Sequence, residues 1–89
     1  MEKQIKMAAK LYEMRDTAKR FFGPEYLDKL KPYSDLLKKV MEANKEDELK
    51  AAMRLVQIES FADNGMAQLM VFAAAVELVE PSGAGPAFA

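Results

Sequence analysis

Residues 51–79, AAMRLVQIESFADNGMAQLMVFAAAVELV, decide how this chain folds. Apolar or small residues recur in this stretch at alternating steps of four and three, the spacing that keeps one stripe of a helix facing a partner. We call this stripe the seam, and it consists of Ala51, Leu55, Ile58, Ala62, Gly65, Leu69, Phe72, Val76 and Val79. Its unbroken register favours one continuous helix from about residue 46 to residue 80.

A turn in the middle of this stretch is the alternative. The tripeptide Asp63-Asn64-Gly65 has the composition of a turn, and a break there gives a helical hairpin with arms at about 46–62 and 66–80. A glycine within a helix costs only about 1 kcal/mol relative to alanine. A turn would not require the seam residues after Gly65 to keep the register of those before it. The continuous helix is therefore the preferred prediction.

The segment from Met66 to Val79 is apolar on nearly every side, and a helix of that kind must be surrounded. The other predicted helices cover only part of it, so we expect a second copy of the chain or another protein to cover the rest. The predicted interface residues are Ala62, Gly65, Leu69, Phe72, Val76 and Val79. Glu77 interrupts the apolar segment, and we expect it to face water or to meet a Lys or Arg from the first half of the chain.

The first half of the chain contains three shorter predicted helices. Apolar residues from Met7 to Phe21 repeat at helical spacing, which predicts a helix over Glu2–Phe22 that Gly23-Pro24 ends. A second helix is predicted over 24–30 and a third from Pro32 or Ser34 to Ala43. The boundary between them is placed at Lys31, because the helical conformation is disfavoured for a residue that precedes proline. The fold class is therefore all-α: a small bundle of four or five helices with a long C-terminal helix.

The last nine residues, PSGAGPAFA, differ in character from the rest. Two Pro and two Gly among them cannot hold a helix or a central strand. We expect residues 1–80 to form one helical domain, and residues 81–89 to form a tail that is flexible or docked on a partner. Phe88 is the predicted anchor of that tail on a neighbouring surface.

The composition excludes most kinds of catalytic chemistry. The chain contains neither Cys nor His, which removes disulfides, thiol chemistry, the commonest general base and the commonest ligands for transition metals. Its glycines lack the spacing of a phosphate-binding loop. We therefore predict no catalytic, metal-binding or cofactor-binding residues, no small-molecule substrate and no enzymatic activity.

Charge is unevenly distributed, although the net charge is −1. The first 40 residues carry ten Lys or Arg against six Asp or Glu, and residues 41–89 carry three against eight. Attraction between the two halves, within one fold or between subunits, is the favoured interpretation. The alternative is a nucleic-acid-binding accessory protein with a basic N-terminal helix, whose candidate anion-binding residues are Lys3, Lys6, Lys10 and Arg20.

No residue motif identifies a reaction or a ligand. The N-terminus lacks the features of a signal peptide and no stretch reaches the roughly 20 apolar residues of a membrane span, so we expect a cytoplasmic protein. Small size and helical character without Cys or His suit small phage-encoded accessory proteins, such as virion components or inhibitors. The sequence thus predicts a non-enzymatic protein–protein interaction module that assembles through the seam.

Overall fold

The computed structural model describes the backbone of residues 2–81 and the side chains of residues 9–81. This part of the chain is a helical bundle without strands. Its helices are α1 (Glu2–Phe22), α2 (Tyr26–Asn44), α3 (Glu48–Val56), α4 (Glu59–Ala62) and α5 (Gly65–Val79), with a single 3-10 turn (Gly23–Glu25) between α1 and α2. The all-α prediction is therefore confirmed. No helix within the described residues is long and apolar enough to cross a membrane.

Helix α1 has the predicted bounds. Gly23 follows its last residue with φ +60°, a left-handed conformation that glycine adopts without steric cost. Phe21, the last residue of the predicted apolar repeat, is 66 % exposed, whereas Phe22, which was expected to widen the apolar stripe, packs on the core. A straight helix repeats every 3.6 residues, so an apolar face drifts away from a strict seven-residue repeat.

Helix α2 runs through Pro32 without interruption, so the predicted boundary at Lys31 is wrong. Proline has no N–H to donate to the carbonyl of Asp28, and its place inside a helix costs about 3 kcal/mol relative to alanine. Pro32 is exposed, so there is room for its ring, and the Asp28 carbonyl, which has no N–H partner from Pro32, can bind water. Burial of Leu30 and Leu37 on the opposite side holds the two halves of α2 in one helix.

The predicted long C-terminal helix is also wrong. The seam is divided among α3, α4 and α5, and the longest helices lie in the first half of the chain. The backbone is extended at Ile58 and again at Asn64, which caps α5 by accepting a hydrogen bond from the N–H of Ala67 at 3.0 Å. The side-chain amide of Gln68 then donates to the last carbonyls of α4.

Helix α5 lies at the centre of the bundle and contacts each of the other four helices. Ala73, Ala74 and Ala75 are fully or almost fully buried, and Met70 and Val71 belong to the same core. The small side chains that suggested close approach of another molecule therefore admit neighbouring helices of the same chain. Helices of the same chain cover most of the apolar segment but not all of it, because Met66 and Val79 at its two ends remain exposed.

Candidate functional site

An open apolar groove lies between α1, α3 and α5, with a cavity volume of about 120 Å³. Its walls are Leu11 and Tyr12 of α1, Glu48 and Leu49 of α3, and Ala75, Val76 and Val79 of α5. Val76 is 5 % exposed, whereas Val79 is 64 % exposed. The groove is thus an open, mostly apolar concave surface with an exposed apolar side chain, Val79, at its rim.

The rim of the groove adjoins a buried polar cluster around Glu77, which is only 8 % exposed. The hydroxyl of Tyr26 donates a hydrogen bond of 2.7 Å to Oε2 of Glu77, and Nε of Arg15 lies 3.9 Å from the same oxygen. A buried carboxylate persists only where such partners replace water. The expectation that Glu77 faces water is wrong, and the alternative, a partner from the basic first half, is confirmed.

Arg15 and Tyr12 also hold the end of α5. The guanidinium of Arg15 donates a hydrogen bond of 2.7 Å to the backbone carbonyl of Glu80 and lies 5.1 Å above the ring of Tyr12. The hydroxyl of Tyr12 donates to the carboxylate of Glu80. A cation at a helix C-terminus also offsets the negative end of the helix dipole. The unlike charges of the two halves of the chain therefore meet within one fold.

Both tyrosines of the cluster keep their protons more firmly than a free tyrosine does. Burial raises the pKa of Tyr26 far above its ordinary value, and the hydrogen bond to the Glu77 carboxylate raises it further. The hydrogen bond to Glu80 is the main reason that the pKa of Tyr12 is raised. Each hydroxyl therefore stays a donor throughout the neutral range, and the cluster fixes the geometry of α1, α2 and α5.

A second ion pair lies on the side of α3 opposite the groove. Nε and Nη2 of Arg54 each donate a hydrogen bond of 2.8 Å to the carboxylate of Glu46. This bidentate contact lowers the pKa of Glu46. Glu46 precedes α3, and Asp47 caps this helix by accepting a hydrogen bond from the N–H of Lys50. The described residues contain no group of three or more His, Cys, Asp or Glu side chains placed to hold a metal ion.

The structure separates the predicted interface residues into three places. Ala62 and Gly65 are exposed around the α4–α5 turn, and Leu69 and Phe72 are half-buried against the core. Val76 and Val79 lie together, because both line the groove. Phe88 lies outside the described residues. The role of these residues in an interface stays a prediction.

The candidate anion-binding residues do not converge on a site that the structure describes. Lys10 and Arg20 are exposed near the middle and the end of α1. The side chains of Lys3 and Lys6 lie outside the described residues. The cation that does take part in a cluster is Arg15, which is committed to Glu77 and Glu80. Nucleic-acid binding therefore stays a prediction.

The sequence marked Glu77 as an unusual residue, but it did not indicate that Tyr12, Tyr26 and Glu80 belong to the cluster around it. The signal for Glu77 was a single charge within an apolar segment. Tyr26 comes 51 residues earlier in the chain, and no local pattern connects the two. A buried tyrosine does need a partner for its hydroxyl, which is the signal that could have joined them.

Comparison with known proteins gives no match to any family model, curated protein or solved structure.

Proposed function

We propose that this chain is a non-enzymatic protein–protein interaction module that binds a second copy of itself through the groove between α1, α3 and α5. The observation that carries the proposal is the 64 % exposure of Val79 at the rim of an apolar cavity. Most of α5 needs no partner, so this end of the helix is where association removes further apolar surface from water. The waist of the seam, Ala62 and Gly65, is not part of the proposed surface.

A second copy fits the groove because the surface is complementary to itself. It combines a cavity, floored by Val76, with a protruding side chain, Val79. In a two-fold dimer the same patch serves on both subunits, so each Val79 covers the groove of the other. The buried Glu77 cluster supports this contact indirectly, because Arg15 and Tyr12 fix the end of α5 that carries Val79.

The test is the solution mass by light scattering over a range of protein concentrations. We expect the mass of the parent protein to rise above 10.0 kDa, the mass of one chain. The mass of Val79→Lys should stay at 10.0 kDa, because association would require the charge at the rim to be desolvated. Phe21→Lys is the matched control, because Phe21 is 66 % exposed but lies outside the groove. A parent protein that stays at one chain at high concentration, or loss of association in Phe21→Lys alone, contradicts the proposal.

A further inference from the structure

The turn between α4 and α5 places an asparagine directly before a glycine. Asn64 and Gly65 are both exposed, and they form the single Asn-Gly pair of the sequence. The side-chain amide carbon of an asparagine, Cγ, is open to attack by the backbone nitrogen of the next residue, which is why asparagine is chemically labile. A glycine in the next position leaves that nitrogen open to approach, because it has no Cβ. This turn therefore holds both groups that the reaction needs.

The backbone nitrogen of Gly65 is accessible in the folded protein. Gly65 is the first residue of α5, and the N–H groups in the first turn of a helix have no acceptor within that helix. A Cβ placed on Gly65 meets nothing within 4 Å. Neither a helical hydrogen bond nor a packed neighbour therefore protects this nitrogen.

The cap of α5 restrains the other partner in the reaction. Oδ1 of Asn64 accepts a hydrogen bond of 3.0 Å from the N–H of Ala67, so the side chain must leave the cap before its Cγ can meet the Gly65 nitrogen. Helix α4, which precedes this turn, has no buried residue, and within the described part of the chain it contacts only α3 and α5. The turn can therefore open locally while the core stays packed.

We propose that Asn64 is a site of spontaneous modification, at which opening of the α5 cap lets the Gly65 nitrogen form a succinimide with the Asn64 side chain. The N–Cγ bond forms, the Cγ–Nδ2 bond breaks, and ammonia leaves with the proton of the Gly65 nitrogen. Water then opens the five-membered ring at either carbonyl. Opening at Cγ gives aspartate, and opening at the main-chain carbonyl gives isoaspartate, whose main chain runs through Cγ. The reaction needs neither the groove nor a second copy, so it is independent of the proposed function.

The two products affect α5 differently. Aspartate keeps an oxygen that accepts from the N–H of Ala67, and it adds negative charge at the positive end of the helix dipole. Isoaspartate inserts one additional atom, Cβ, into the main chain, so the geometry of the cap is lost. Formation of isoaspartate therefore loosens the start of α5, the helix that contacts every other helix of the bundle.

Peptide mapping by mass spectrometry locates the reaction. The folded protein is incubated at mildly alkaline pH, where a backbone N–H gives up its proton more readily. We expect Asn64 to convert several-fold faster than Asn44, which is also exposed but is followed by Lys45, and we expect equal amounts of ammonia and converted Asn64. Conversion of Asn44 at the same rate or faster, or an intact Asn64, overturns the inference.

Two substitutions test the roles of the nitrogen and of the turn. Gly65→Ala should slow the conversion several-fold without destabilising the fold, because a Cβ hinders approach to the nitrogen. Gln68→Ala should speed it, because the Gln68 amide donates to the carbonyls of Phe61 and Ala62 and so holds the turn closed. Gln57→Ala is the matched control, since it removes an exposed amide outside this turn. Equal rates in the parent and in both test variants contradict the proposed reaction.

Hydrogen exchange separates opening of the cap from unfolding of the whole protein. We expect Gln68→Ala to speed the exchange of the Ala67 amide, which bonds to the cap, more than that of Val71, which is fully buried in the core. The rate of Asn64 conversion across the variants that keep Gly65 should follow the exchange of Ala67. A rate that follows only the exchange of Val71 means that global unfolding exposes Asn64, and it overturns the inference.

Discussion

The Tyr26 hydroxyl donates a hydrogen bond of 2.7 Å to the Glu77 carboxylate and so joins the first residue of α2 to the end of α5. Both side chains are buried, and Arg15 of α1 approaches the same carboxylate oxygen. Three helices therefore meet at one charged group inside an apolar core. A buried group of this kind costs most when one partner is removed and the others stay behind.

Glu77→Gln should destabilise the protein by about 1–3 kcal/mol, as for loss of a partner in a buried polar contact. The amide oxygen still accepts from Tyr26, but the negative charge opposite Arg15 is lost. The loss stays below the roughly 3–5 kcal/mol of a fully broken buried ion pair, because Arg15 keeps its bond to the Glu80 carbonyl. Urea unfolding at neutral pH measures the change as a lower midpoint with an unchanged slope.

The matched control for this experiment is Glu13→Gln, which removes the same charge from the exposed side of α1. Surface substitutions of this type change stability by less than about 0.5 kcal/mol. Equal effects of the two substitutions would show that net charge, and not the buried contact, determines the stability.

Alkaline conditions should weaken the fold through Tyr26. Its pKa is raised in the folded protein, whereas the unfolded chain loses that proton near the ordinary pKa of 10.0. Above that pH the unfolded state binds fewer protons than the folded state, so the free energy of unfolding falls as the pH rises. Stability from this group is complete below pH 10 and is lost progressively above it.

Unfolding measured between pH 9 and pH 11.5 tests this linkage. Tyr26→Phe should be less stable than the parent at neutral pH and should lose less stability on going to high pH. Tyr33→Phe serves as the control, because it removes a hydroxyl from the same helix and leaves the bond to Glu77 in place. A parent protein whose stability falls no more steeply than that of Tyr26→Phe contradicts the assignment.

The sequence predicted α1 correctly because its end depends on local chemistry. Gly23 adopts a positive φ and Pro24 cannot extend the helix, and both effects act within a few residues. Pro32 follows the same rules locally, yet α2 continues through it. Burying a leucine side chain stabilises by about 1.5–3 kcal/mol, so Leu30 and Leu37 together outweigh a proline cost of about 3 kcal/mol.

The prediction of one continuous C-terminal helix was wrong because the spacing of the seam residues continues unchanged through two breaks in the helix. Asn64 was visible as a turn residue, but its role as the cap of α5 depends on a hydrogen bond that competes with a continuous helix. Of the candidate site, Val76 and Val79 were predicted as interface residues, and both line the groove. Their neighbours Leu11 and Leu49 belong to other helices, and only the folded arrangement brings them to the groove.

Pro32→Ala should stabilise the protein by about 1–3 kcal/mol, because alanine restores the backbone hydrogen bond to the Asp28 carbonyl and has the higher helix propensity. Thermal unfolding measures the gain as a higher Tm. Pro24→Ala is the control, since Pro24 occupies the first turn of the 3-10 segment, where its missing N–H costs nothing. A lower Tm for Pro32→Ala would show that the ring makes a contact worth more than the lost hydrogen bond.

Gly23→Ala and Gly65→Ala should change stability in opposite directions. Gly23 has φ +60°, so a Cβ there is strained by about 1–2 kcal/mol although no atom lies within 4 Å of it. Gly65 begins α5 without a positive φ, and a Cβ there also meets nothing within 4 Å. Alanine at 65 therefore loses less conformational freedom on folding and raises the free energy of unfolding by up to about 1 kcal/mol. Urea unfolding of both variants measures the difference. A loss at Gly65 as large as the loss at Gly23 would contradict both the free space and the ordinary helical conformation at residue 65.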